Sequence, residues 1–148
     1  MVVILNKERQ KMTNPLRGIA TISLWAADHT KAVAWYSELL SQKPYFERPG
    51  YAEFRIGDSE TEVGIIDRQY APHMVFPEGA SGTVLYWHVD DLESVYQHVL
   101  KMGATILQEP EDRGHNFVTA TVVDPFGNIL GLMYNPHYLE MSRQYENQ

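Results

Sequence analysis

The segment Thr21-Ile-Ser-Leu-Trp-Ala-Ala-Asp28 alternates partly in strand fashion and stops at an acid, and Val84-Leu-Tyr-Trp-His-Val-Asp-Asp91 echoes it. After Asp28, apolar residues fall at Ala32, Val33, Tyr36, Leu39 and Leu40; after Asp91 they fall at Leu92, Val95, Tyr96 and Val99. Both sets have helical spacing. Asp28 and Asp91 suit N-caps, since a carboxylate accepts from the free amides of a first turn. Pro44 opposes continuation of the first helix, and Gly103 suits a left-handed cap on the second. Strand-like runs follow each helix: Tyr51 to Ile56 and Glu62 to Asp67, then Phe117 to Val123 and Asn128 to Tyr134. Gly57-Asp58-Ser59 and Asp124-Pro-Phe-Gly127 supply the intervening turns. A further short strand is expected in each half, around Tyr45-Phe46 and around Thr105 to Gln108. The pattern predicts an α+β fold of two tandem β-α-β-β-β modules, residues 18–67 and 82–135.

A chain of 148 residues is expected to be a single domain. Modules of this size are marginal alone and must share one core. Residues 1–17 are polar and expected to form a loosely docked arm. Residues 68–81 carry Pro72, Pro77, Gly79 and Ser81 and form a linker of loop composition. The tail, 136–148, holds Tyr138, Leu139, Met141 and Tyr145 among polar residues, consistent with a short surface helix.

Composition narrows the partners. Hydrophobic residues make up 44% and charged residues 21%, the balance of a globular domain. A net charge of −7 disfavours nucleic acid and anionic membrane surfaces and favours a neutral or cationic small molecule. Cysteine is absent, which removes disulfides, thiolate nucleophiles and thiolate metal sites. The apolar run Val2 to Leu5 is too short for a signal-peptide core or a membrane span, so a cytoplasmic location is expected. The six histidines include no His-Glu-x-x-His pattern, and the chain has no Gly-x-Gly-x-x-Gly, Walker-type loop or Gly-x-Ser-x-Gly elbow.

The paired modules, the acid before each helix, and above all Asp124-Pro-Phe-Gly-Asn-Ile-Leu-Gly-Leu132 resemble the vicinal oxygen chelate superfamily. That group includes glyoxalase I, extradiol dioxygenases, fosfomycin-inactivating transferases and bleomycin-resistance proteins. The resemblance implies a curved, incompletely closed eight-stranded sheet around a cup, and a homodimer, since relatives commonly pair. In the family's metal enzymes, ligands stand at four symmetry-related points, which fall here on Thr21, Gly64, Val84 and Gly131. A divalent cation needs carboxylate oxygen or imidazole nitrogen, and none of the four has either. No metal or cofactor is therefore expected.

Strand alternation then lines the cup with Ser23 and Trp25, Glu62 and Ile66, Tyr86 and His88, and Met133. The set is apolar and aromatic with a few polar tips, as in a small-molecule pocket. Each has a structural alternative: Trp25 and Tyr86 as core, His88 as a structural hydrogen-bonder, Glu62 as a solvated rim. Gly64 and Gly131 mark either close backbone packing or room for a ligand. The polar stretch Glu109 to Asn116 is either an ordinary loop or a flap over the cup, with Arg113 or His115 touching ligand. The leading expectation is metal-free binding of a small aromatic or cationic molecule, with no catalytic residue assigned. The alternative is a metal-dependent lyase or dioxygenase of the glyoxalase type, using Glu62, His88 and His115.

Overall fold

The computed structural model describes residues 19–71, 79–80 and 82–147. The expected arm, residues 1–17, and most of the expected linker lie outside them. Among the described residues, eight strands and three helices follow the predicted order: β1 (Thr21–Ala26), α1 (His29–Leu39), β2 (Phe46–Arg48), β3 (Tyr51–Ile56), β4 (Thr61–Asp67), β5 (Leu85–His88), α2 (Leu92–Lys101), β6 (Thr105–Gly114), β7 (Phe117–Val123), β8 (Ile129–Tyr134) and α3 (Pro136–Glu146). A single 3-10 turn, Arg68–Tyr70, follows β4.

The strands form two four-stranded sheets of identical topology, β1-β4-β3-β2 and β5-β8-β7-β6. In each, the first strand pairs in parallel with the last, and the remaining pairs are antiparallel. The fold is α+β, two tandem β-α-β-β-β modules, as the repeat predicts, and the described strands close no barrel.

The helices begin where the acids require. Asp28 accepts from the Lys31 amide at 3.2 Å and Asp91 from the Ser94 amide at 3.1 Å. Gly103, at φ +99°, takes the left-handed conformation after α2. Asn135 caps α3, whose first residue is Pro136.

The second half departs from expectation in one place. Residues 109–114 are not a flap: they continue β6 along β7, with register shifts on the way. Strand β6 is the sheet's outer edge, where Pro110 removes no interior ladder bond and bulges absorb the mismatch. The hairpin then turns at His115 and Asn116, both at positive φ.

Alternation buries one face of each sheet. Phe54, Ile56, Val63 and Ile65 from the first join Ala120, Val122, Leu130 and Leu132 from the second, together with Trp35 and Tyr36 of α1 and Tyr96 and Val99 of α2, in one cluster. Leu24 and Trp87 pack against it, on the helix-covered side. Burying one such aliphatic or aromatic side chain is worth about 1.5–3 kcal/mol, so the shared core decides whether either module folds.

A polar clasp completes the seam. Asp124 is only 3% exposed, yet its carboxylate accepts from the Tyr36 hydroxyl at 2.5 Å and from the amides of Phe126 and Asn128 at 2.9 and 2.8 Å. The Asn128 side-chain amide donates both to Asp124 and to the Trp25 carbonyl in β1. Trp35 adds an indole bond of 2.7 Å to the Met102 carbonyl. Tyr36 and Trp35 belong to the first module, and their partners to the second.

Tyr36→Phe should cost about 1.5–3 kcal/mol at pH 7, the range for a hydrogen bond to a charged group. Burial, followed by the charge and hydrogen bond of Asp124, pushes the Tyr36 phenol above its ordinary range. Its stabilisation is therefore complete below the unfolded value of about 10 and is lost as pH climbs toward the folded one. Urea denaturation of both proteins at pH 7 and pH 11 should show the gap narrowing at the higher pH; an unchanged gap would contradict the assignment.

Candidate functional site

The side of each sheet turned away from the common core is the candidate site. On the first sheet, register places Thr21, Glu62 and Arg55 in one row, Ser23, Gly64 and Glu53 in the next, and Trp25, Ile66 and Tyr51 in the third. The expected residues Ser23, Trp25, Glu62 and Ile66 thus share one face. Tyr51, Glu53 and Arg55 share it too, although they were not singled out from the sequence; alternation within the expected strand Tyr51 to Ile56 carries that signal. On the second sheet, Tyr86 pairs with Gly131 and His88 with Met133, so these expected residues share a face with Thr119 and Thr121. Val84 precedes β5 and lies outside the ladder.

The two glycines now have a physical explanation. A Cβ on Gly64 would meet the Tyr51 ring at 3.0 Å, and one on Gly131 would meet the Tyr86 ring at 2.7 Å and the Leu85 carbonyl oxygen at 2.8 Å. Each glycine is the bed on which a tyrosine lies. Backbone packing applies at Gly131 alone, against the Leu85 carbonyl; at Gly64 the space is taken by the Tyr51 side chain.

The polar groups of the first sheet are matched internally. Thr21 donates to Glu62 at 3.0 Å, and Arg55 approaches the other carboxylate oxygen at 3.9 Å. Both charged side chains are more than a third exposed, so water screens the pair. Arg55 also lies 3.8 Å from the centre of the Tyr45 ring, and Arg48 sits 5.8 Å from Tyr51. Tyr51 donates to Glu53 at 2.8 Å; partial burial, then that bond, pushes its phenol up to about 12, so it stays a neutral donor throughout the physiological range.

His88 is more constrained than its sequence position suggests. Its side chain is 7% exposed, Nδ1 accepts from the Asn135 amide at 3.1 Å, and Nε2 lies 3.0 Å from Asp90. Acceptance at Nδ1 puts the neutral ring's proton on Nε2, directed at Asp90. The ring stacks on Tyr138 of α3, centroids 4.7 Å apart and planes 11° apart. Of the two readings held open for His88, its geometry is that of the structural hydrogen-bonder. Tyr86, by contrast, is 40% exposed, and Trp25 is half-buried.

The donor set does not fit a divalent metal. Thr21 is tied to Glu62, Gly64 and Gly131 are covered by rings, and Val84 offers no ligand atom. Among the described residues, which include Glu62, His88 and His115, no three His, Asp or Glu side chains gather as a metal site requires. Also among them, no helix is long and apolar enough to cross a membrane.

Comparison with known proteins agrees with this architecture. A model of the glyoxalase/bleomycin resistance protein/dioxygenase superfamily matches residues 18–132. The chain belongs to that superfamily. A glyoxalase-related enzyme from Fulvimarina pelagi superposes with a TM-score of 0.68 at 18% identity, covering 82% of this chain and 90% of its own. A glyoxalase/bleomycin resistance protein from Catenulispora acidiphila DSM 44928 gives 0.57 at 21%, covering 80% and 100%. TioX from Micromonospora sp. ML1 gives 0.60 at 17%, covering 79% and 98%. Identities this low speak for the fold alone. No curated protein matches the sequence.

Substitution separates the two glycine beds. Gly131→Ala should cost about 1–3 kcal/mol, because the Leu85 carbonyl is backbone and cannot swing aside. Gly64→Ala should cost less and be rescued by Tyr51→Ala, whereas Tyr86→Ala should leave Gly131→Ala largely unrescued. Thermal melts of the single and double variants measure both couplings.

Proposed function

We propose that this member of the superfamily binds a small planar aromatic molecule, neutral or cationic, on the open faces of its sheets, and that it does so without a metal. The observation that carries the reading is the pair of tyrosine-covered glycines. At Gly64 and Gly131, two of the points where the resemblance places the family's metal ligands, this chain presents the rings of Tyr51 and Tyr86. A phenol ring offers a flat face for stacking and a hydroxyl for orientation. Trp25, Tyr51 and Ile66 form one continuous row, and Ser23 and Glu53 lie beside it. The net charge of −7 favours a cationic ligand over an anionic one.

The same reading takes the working unit to be a homodimer. Exposed large apolar residues fall at the outer sheet edges, Tyr45 and Phe46 by β2 and Ile106 and Leu107 in β6. Edge strands carrying such side chains are prone to pair with another chain.

Calorimetric titration against a panel of aromatic amines and aromatic cations should find saturable binding that Trp25→Ala or Tyr86→Ala weakens about tenfold, equivalent to about 1.4 kcal/mol. Added zinc or nickel should leave the affinity unchanged. Metal-dependent affinity, or no binding across the panel, would sink the proposal. Sedimentation should report a dimer that Ile106→Glu shifts toward monomer.

A further inference from the structure

We propose that the groove between helix α3 and the β3–β4 turn is the docking site of this chain's own leading segment, residues 1–18, with the apolar run Val2 to Leu5 laid against α3 and Lys7 and Arg9 turned toward the groove's acids. Asp58 and Ser59 of the turn form one wall, and Tyr138, Met141, Tyr145 and Glu146 of the helix form the other. This surface is separate from the row of Trp25, Tyr51 and Ile66, and the proposal does not depend on a ligand there.

Helix α3 needs cover. It spans 11 residues, none of them buried. Tyr138, Met141 and Tyr145 have the i, i+3, i+7 spacing of one helix face, and they are 38%, 36% and 70% exposed. An isolated helix of fewer than about 12–15 residues is marginal in water and draws its stability from packing of its apolar face. Tyr138 stacks on His88, and Tyr138 and Ser142 donate to Asp58. These contacts hold the first two turns and leave Tyr145, in the last, open to solvent.

Charge and position identify the occupant. Lys7, Arg9, Lys11 and Arg17 against the single acid Glu8 give residues 1–18 a net charge of +3, and the total of −7 then leaves −10 on the rest of the chain. The charged side chains lining the groove, Asp58 and Glu146, are both acidic. A second copy of the folded body would bring −10 to these acids, whereas the leading segment brings opposite charge together with an apolar run. The point of entry agrees. Parallel pairing sets Thr21, the first residue of β1, beside Glu62 near the start of β4, so the chain enters β1 at the same end of the sheet as the β3–β4 turn. The 14 residues from Leu5 to Ile19 reach about 46–50 Å when extended, against about 16 Å for the whole of α3. Tethering makes the encounter intramolecular, at an effective concentration on the order of millimolar, so a modest contact suffices.

Engineered disulfides test the assignment, and a chain without cysteine makes them unambiguous. On mild oxidation, the double variant Val3→Cys/Tyr145→Cys should form an intrachain disulfide at least about tenfold faster than Val3→Cys/Gln97→Cys, whose second position is an exposed site on α2. Deleting residues 1–17 should speed amide hydrogen exchange in residues 142–146 about tenfold and leave that of β7 and β8 unchanged. Lys7→Glu/Arg9→Glu, which keeps the length of the segment, should speed the same amides at low salt. Equal rates for the two cysteine pairs, or disulfides formed only between chains, would overturn the proposal, as would exchange in α3 that is indifferent to the deletion. The cysteine pairs carry the test even if the shortened chain fails to fold.

Discussion

The buried carboxylate of Asp124 is the constraint on which the rest of the structure depends. A charge removed from water survives only where its lone pairs are filled, and here four donors fill them. Three of them close the β7–β8 turn; the fourth, Tyr36, comes from the other module. The turn therefore sets the shape of one module and its attachment to the other. Asn128 extends the clasp by donating to the Trp25 carbonyl, which ties the end of β1 to the same point. The two halves cannot separate without exposing this network, so their relative position is fixed by hydrogen-bond lengths rather than by apolar contact alone.

A second clasp works in the reverse direction. Asp58, in the β3–β4 turn of the first module, accepts from Tyr138 at 2.6 Å and from Ser142 at 3.3 Å, both on α3. Helix α3 emerges from β8 and stacks on His88, so it belongs mechanically to the second module. Each module thus offers a turn aspartate to a tyrosine carried by the other half. His88 and Asn135 hold the base of that helix, which gives His88 a structural task at the end of β5.

Local patterning made most of the fold legible. Alternation, helical spacing and capping acids located the first, third and fourth strand of each module and both module helices, because each is a short-range effect. Residues 109–114 escaped because their polarity and Pro110 resemble a loop, and only pairing with β7 makes them strand. The site was half legible. Alternation correctly grouped Ser23, Trp25, Glu62 and Ile66, but a sequence does not show which partner a polar group has taken. Glu62 turned out to be occupied by Thr21 and Arg55, and His88 by Asp90 and Asn135. The glycines at 64 and 131 were visible as anomalies; the tyrosines covering them lie on neighbouring strands, so only the register between strands identifies the cause.

The two clasps are alike in kind. Tyr36 of α1 reaches Asp124 in the second module, and Tyr138 of α3 reaches Asp58 in the first. The modules are thus pinned to each other by hydrogen bonds, whose lengths vary little. Between the clasps the contact is apolar, with Val63 and Ile65 of the first sheet in one cluster with Val99 and Leu132 of the second module. Apolar contact is non-directional and tolerates sliding of one module over the other. The polar clasps are therefore what fixes the register of the join.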